Sequence, residues 1–110
     1  MALHLEEMHT ILRAGSFSDG AKFSVIQKWF KQCNIIDERF LTEDHFEKAY
    51  SRLDPNFVEL NLSEFIIFMA ILARETKQDM KIFVKKFSDV KEMIIEEVQK
   101  YIRENNIPYT

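Results

Sequence analysis

The amino-acid sequence predicts an all-α single domain of about five helices with one very short two-stranded β pairing, and three observations carry that prediction. The 110 residues include only two glycines and two prolines, where average usage is about 12% for the two together, so the punctuation that β-hairpins and loop-rich folds need is missing. Apolar residues make up 46% of the chain and ten of them are phenylalanine. At this length that suffices to bury roughly 65% of the unfolded chain's surface, which excludes intrinsic disorder. The apolar residues also recur at three- and four-residue intervals along most of the chain, the helical period.

Taken in order, Leu5, Met8, Ile11 and Leu12 predict a first helix over about 3–14, with Gly15 as its C-terminal cap. Phe23, Ile26, Trp29, Phe30 and Cys33 fall on one face of a second helix closed by Asn34, with Lys22, Lys28 and Lys31 off that face. Arg39-Phe40-Leu41 reads as a brief extended piece before Thr42, an N-cap for the stripe Phe46, Ala49, Tyr50 and Leu53. Asp54-Pro55-Asn56 stops that helix, because proline cannot continue it. Val58-Glu59-Leu60 is extended again. Asn61 with Glu64 then forms a capping box for a helix over about 62–75 that is apolar almost all round and is expected to be the most buried. From Lys77 the pattern turns amphipathic through Met80, Phe83, Val84 and Phe87. A second capping box, Asp89 with Glu92, leads a last helix to about 104, with residues 105–110 fraying.

Charge and cysteine usage narrow the function classes. Net charge is −3 with a pI near 5.6, which argues against a nucleic-acid binder. Residues 1–20 sum to −2 and residues 76–110 to +1, so neither end is a polyelectrolyte tail. The longest apolar run, Phe65 to Ala73, is nine residues, against about 20 for a membrane span. A lone Cys33 and no recognisable signal peptide lead us to expect a reducing, cytoplasmic setting. No glycine-rich elbow or phosphate loop is present, and His4 and His9, five apart, do not follow the His-Glu-x-x-His order, so no enzyme and no zinc site built from His4, His9 and His45 is expected. Trp29, Phe30 and Cys33 are expected to pack in the core rather than to form a recognition surface or a reactive thiol.

The segment Leu60-Asn61-Leu62-Ser63-Glu64-Phe65 has the grammar of an EF-hand exit, and Leu41-Thr42-Glu43-Asp44-His45-Phe46 repeats the outline with His in place of the final Glu. The strands Phe40-Leu41 and Glu59-Leu60 are therefore expected to pair across the helix they bracket. The outlines lie nineteen residues apart, room for one shared helix but not for two complete helix-loop-helix units. The reading is an EF-hand-like helical domain without calcium binding. A calcium loop needs oxygen donors at positions 1, 3 and 5, glycine at 6 and a bidentate Glu at 12. Counting back from Glu64, these places hold Leu53, Pro55, Phe57 and Val58; counting back from His45, they hold Asn34, Ile36, Glu38 and Arg39.

Lys28-Trp29-Phe30-Lys31-Gln32-Cys33, then Ile36-Asp37, Leu41-Thr42, Asp44, Ala49-Tyr50-Ser51-Arg52-Leu53 and Leu60-Asn61-Leu62-Ser63-Glu64-Phe65 resemble, in order and spacing, the folded core of the tubulin polymerisation-promoting protein family. The resemblance covers about residues 23–75. It implies an EF-hand-like domain in cytoskeletal proteins that bind tubulin and bundle microtubules. Bundling members carry a flexible basic tail with a Gly-rich motif after the core, and no such segment lies before Thr110; the fold transfers better than the activity. The resulting expectation is a non-enzymatic cytoskeletal binding module, a monomer without cofactors, cytoplasmic or ciliary. Its partner-binding residues would be Lys22, Lys28, Lys31, Lys77, Lys81, Lys85 and Lys86, although such rows also occur as plain solvated faces. The alternative is a calcium-independent adaptor that grips an amphipathic helix of a partner protein, suggested by a surplus of apolar residues at Phe40, Phe57, Ile67 and Ile107-Pro108-Tyr109.

Overall fold

The apolar stripes fold as α1 (Ala2–Ser16), α2 (Phe23–Gln32), α3 (Glu43–Leu53), α4 (Leu62–Thr76), α5 (Met80–Ser88) and α6 (Lys91–Glu104), with the short strands β1 (Ala21–Lys22) and β2 (Glu59–Leu60). This computed structural model describes residues 2–105, with side chains from Leu5 onward; Ile107-Pro108-Tyr109 and the expected fraying of 106–110 lie outside the described residues. There are six helices in that range. The chain after Lys77 divides because the helix tightens at its end: the Asp89 and Val90 N–H groups donate to the carbonyls three residues back, Lys86 and Phe87, at 3.2 and 3.0 Å. Val90 then turns inward, 3% exposed. Asp89 is therefore the C-cap of α5 and the capping box expected with Glu92 does not form; α6 opens at Lys91 after Val90, an N-cap without a side-chain hydrogen bond. Asp79 caps α5 instead, accepting from the Lys81 N–H at 2.9 Å.

The strand pairing departs from expectation in an informative way. β2 pairs antiparallel with β1, Ala21 opposite Leu60 and Lys22 opposite Glu59, and the Phe23 N–H extends the pairing to the Val58 carbonyl at 3.0 Å. Phe40-Leu41 is not a strand. One oxygen of Asp37 accepts the N–H groups of Arg39, Phe40 and Leu41 at 2.9–3.0 Å, and the Leu41 carbonyl accepts from Asp37 and Glu38, so residues 37–41 curl into a closed turn with no free edge. The chain thus contains two complete helix-loop-helix units, α1–β1–α2 and α3–β2–α4, joined at their loops by the two-residue sheet. The nineteen-residue spacing had pointed away from that pairing because the first loop lies at 17–22, not at 34–45.

Two details hold the loops together. Gly20 lies so close to the second loop that an added Cβ would stand 2.8 Å from both Glu59 Oε2 and the Leu60 carbonyl, and Ser18 Oγ donates to Glu59 Oε1. Gly15 is not the cap of α1: the helix runs on through Ser16, whose Oγ donates to the Leu12 carbonyl at 2.7 Å and accepts the Lys22 N–H at 2.9 Å. The left-handed residue that ends α1 is Phe17, φ 51°.

The core is one cluster into which every helix contributes, with Leu12, Ile26, Phe30, Phe46, Tyr50, Phe65, Phe68, Leu72 and Phe83 all fully buried. α1 supports it from outside the second unit, packing on α6 and β1 and touching α2, α4 and α5. α4 is not covered on every side as its composition suggested: Phe65, Phe68, Met69 and Leu72 face inward, but Ile66 and Ile67 are 37% and 50% exposed.

Candidate functional site

Carboxylates and cap residues tie the backbone here: Glu64 and His45, at the place of an EF-hand's final Glu, serve as cap residues, and the loop after α3 is held by Asp54, which is at none of the ligand positions counted from Glu64. Asp54 accepts the N–H groups of Asn56, Val58 and Glu59 at 2.8–3.1 Å. Partial desolvation works to raise the Asp54 carboxyl, but these three donors outweigh it and hold it below its ordinary 3.8; the same balance, with Lys86 adding to the donors, lowers Asp37. Glu64 accepts the Asn61 N–H at 2.9 Å while Asn61 Oδ1 accepts the Glu64 N–H at 2.8 Å. His45 fills the equivalent place in the first outline, its Nδ1 accepting the Thr42 N–H at 3.0 Å while Thr42 Oγ1 accepts the His45 N–H at 3.2 Å. His9 Nε2–H donates to the Leu60 carbonyl at 3.0 Å from a site 5% exposed, while His4 has no described side chain. Among the described residues no group of three or more His, Cys, Asp or Glu side chains is placed to hold a metal.

Core chemistry is equally committed. Trp29 and Phe30 are buried, and so is Cys33, whose thiol is pushed by burial up to about 11; thiolate, the nucleophilic form, is scarce at neutral pH. Tyr50 sits among Phe23, Phe46, Phe57 and Phe68, with Phe57 stacked on it at 5.8 Å. Its hydroxyl is buried and has no hydrogen-bond partner among the described residues. Burial first, then the nearby Asp54, Glu64 and Glu59 carboxylates, raise its pKa, so it stays neutral.

The seven lysines separate into three sets. Lys28 pairs with Glu97 at 3.4 Å and lies over the Trp29 ring at 4.6 Å. Lys31 pairs with Glu43, and Lys86 donates to the Asn34 carbonyl at 2.8 Å with Asp37 at 3.8 Å. These three bind neighbouring elements together and are not available as a row. Lys22 stands alone on β1, and its N–H serves Ser16. Lys77, in the left-handed C-cap of α4 at φ 55°, and Lys81 and Lys85 on α5 are exposed and make no ion pair with any described carboxylate. Lys81 and Lys85, four residues apart on α5, share one face of that helix, and Lys77 lies in the turn that leads into it.

Sequence reasoning did not locate the cavity beside that row. A half-open groove of about 740 Å³ lies between α1 and α5, floored by Leu5, Met8, Met80, Val84 and Phe87 and edged by Lys81, Lys85 and Lys91. The signal was present: Leu5 and Met8 were read as one stripe and Met80, Val84 and Phe87 as another, but their meeting across a partly open space is a tertiary fact. No described helix is long and apolar enough to cross a membrane.

The described residues thus form two loop-paired helix-loop-helix units with exposed lysines beside an apolar groove. Comparison with protein-family models, with curated proteins and with solved structures finds no match in any of the three.

Proposed function

We propose that the chain is a non-enzymatic, cytoplasmic protein-binding module of the cytoskeleton that engages acidic surfaces of tubulin. The observation that carries this reading is the row Lys77, Lys81 and Lys85, exposed and without an acidic partner among the described residues, while Lys28, Lys31 and Lys86 are committed within the fold. Like charges at four-residue spacing cost a helix a few tenths of a kcal/mol, a cost that an acidic partner would reverse. The resemblance of residues 23–75 to the tubulin polymerisation-promoting family supplies tubulin as that partner.

Microtubule co-sedimentation tests it. The protein should pellet with microtubules at low salt and lose binding as screening increases. The triple variant Lys77→Glu, Lys81→Glu, Lys85→Glu should bind at least about tenfold more weakly, as expected when three attractive contacts become repulsive. Failure of the unmodified protein to pellet at low salt, or undiminished pelleting of the triple variant, would overturn the proposal.

A further inference from the structure

We propose that the groove between α1 and α5 is the docking site for an amphipathic helix of a partner protein, one presenting two or three apolar side chains on one face with carboxylates beside them. This goes beyond the tubulin reading: it shares Lys81 and Lys85 with that reading, but adds the apolar floor and does not use Lys77. The floor is apolar: Leu5 on α1 and Met80 and Val84 on the facing side are part-exposed, above Met8 and Phe87, which are buried in the core. Small-molecule sites add a few directed polar groups to such a floor, but here the polar rim is already spent. Glu7 pairs with Lys91 at 3.5 Å, the Asp79 carboxylate accepts the Lys81 N–H, and the Ser88 hydroxyl donates to the Lys85 carbonyl at 2.6 Å. The Asp79 carboxylate keeps its charge, so three lysines face two carboxylates and the rim is left net positive by one, with the ammonium groups of Lys81 and Lys85 free of ion pairs among the described residues. They carry charge without fixed direction, which suits carboxylates flanking an apolar anchor.

The dimensions fit a helix. Met80 to Ser88 spans eight residues of rise, roughly 12 Å at 1.5 Å per residue, about two turns. That length meets apolar side chains at positions i, i+4 and i+7 of a partner helix, the spacing by which helices are read in grooves.

The test uses the whole chain and a fluorescent synthetic helix of about four turns with leucines at that spacing and glutamates flanking them, beside a lysine-flanked version and a scrambled one. The glutamate-flanked probe should bind saturably, shift the amide signals of Met8, Val84 and Phe87, and bind about tenfold or more tightly than either control. Val84→Asp should abolish that binding. Because Val84 is half-buried, the exposed pair Lys81→Glu, Lys85→Glu provides a second variant that preserves the fold and should weaken the acidic probe about tenfold. Equal binding of the lysine-flanked or scrambled probe, shifts confined to another face, or adhesion to anionic vesicles with no binding of any peptide would overturn the proposal. Its fate is separable from that of tubulin binding: Lys77→Glu should weaken microtubule pelleting and leave the probe unaffected, and Val84→Asp should do the reverse.

Discussion

Asp54 and Asp37 each gather three backbone N–H groups onto one carboxylate, and the result substitutes for a cation in shaping a loop. Glycine scarcity makes this necessary. With two glycines in the chain, the left-handed positions fall to Phe17, Asn34, Glu38, Phe57 and Lys77, and a bulky residue there costs about 1–2 kcal/mol. Phe17 offsets the cost through a tilted contact with the Tyr101 ring at 4.6 Å and Phe57 by stacking on Tyr50. The lowered carboxyl of Asp54 has a defined consequence for pH. In the unfolded chain the group titrates at its ordinary 3.8 and in the native state below it, so its contribution is complete above 3.8 and disappears as pH falls through the native value. Asp54→Asn should therefore cost about 1–2 kcal/mol in urea unfolding at neutral pH, and the gap from the unmodified protein should close as the pH is taken below 3.8.

At the scale of the element, the beginnings of α3 and α4 were legible because a capping box is a local pattern: the side chain at the cap and the one three residues on satisfy each other's backbone with no help from elsewhere. Thr42 with His45 and Asn61 with Glu64 behave so. Asp89 with Glu92 has the same spelling and fails, since the burial of Val90 sets where α6 begins and leaves Asp89 at the end of α5. Asn61→Ala should lower stability by about 1 kcal/mol, read from the thermal midpoint, with helical content by circular dichroism unchanged below the transition. The exposed ion pairs contribute little by comparison. Lys28 and Glu97 are both more than half exposed, and pairs of that kind are worth about 0–1 kcal/mol.

For the whole molecule, the loop pairing and the single core make the two helix-loop-helix units one cooperative structure. His9 on α1 bonds the Leu60 carbonyl of β2 and packs against Phe65 of α4 at 5.5 Å, and Gly20 lets the loops approach, so neither unit is complete without the other. A calcium-loaded pair would gain about 2.7 kcal/mol at a hundredfold excess over Kd. In this protein Asp54 already closes the loop that follows α3, and Ser18 and Glu59 bind the two paired loops to each other. We expect the thermal midpoint to be the same in millimolar calcium and in chelator; a rise of several degrees with calcium would show that the loops still bind it.

Composition and local spacing, by themselves, determined that the chain is helical, where four of its helices start, which faces of α2 and α3 turn inward, and that the loop after α3 lacks the residues of a calcium site. These are properties of neighbouring residues, set by backbone sterics, capping and the helical period. Which strand β2 would choose, where the paired loop lay, which lysines would be spent on internal partners and that two apolar stripes would leave a groove between them were decided only by the tertiary structure. Each depends on residues far apart in sequence competing for the same hydrogen bonds, charges and buried surface. Phe40-Leu41 reads as a strand when taken alone, but the Asp37 carboxylate takes its backbone donors, and Ala21-Lys22, which carries no strand signal of its own, completes the sheet.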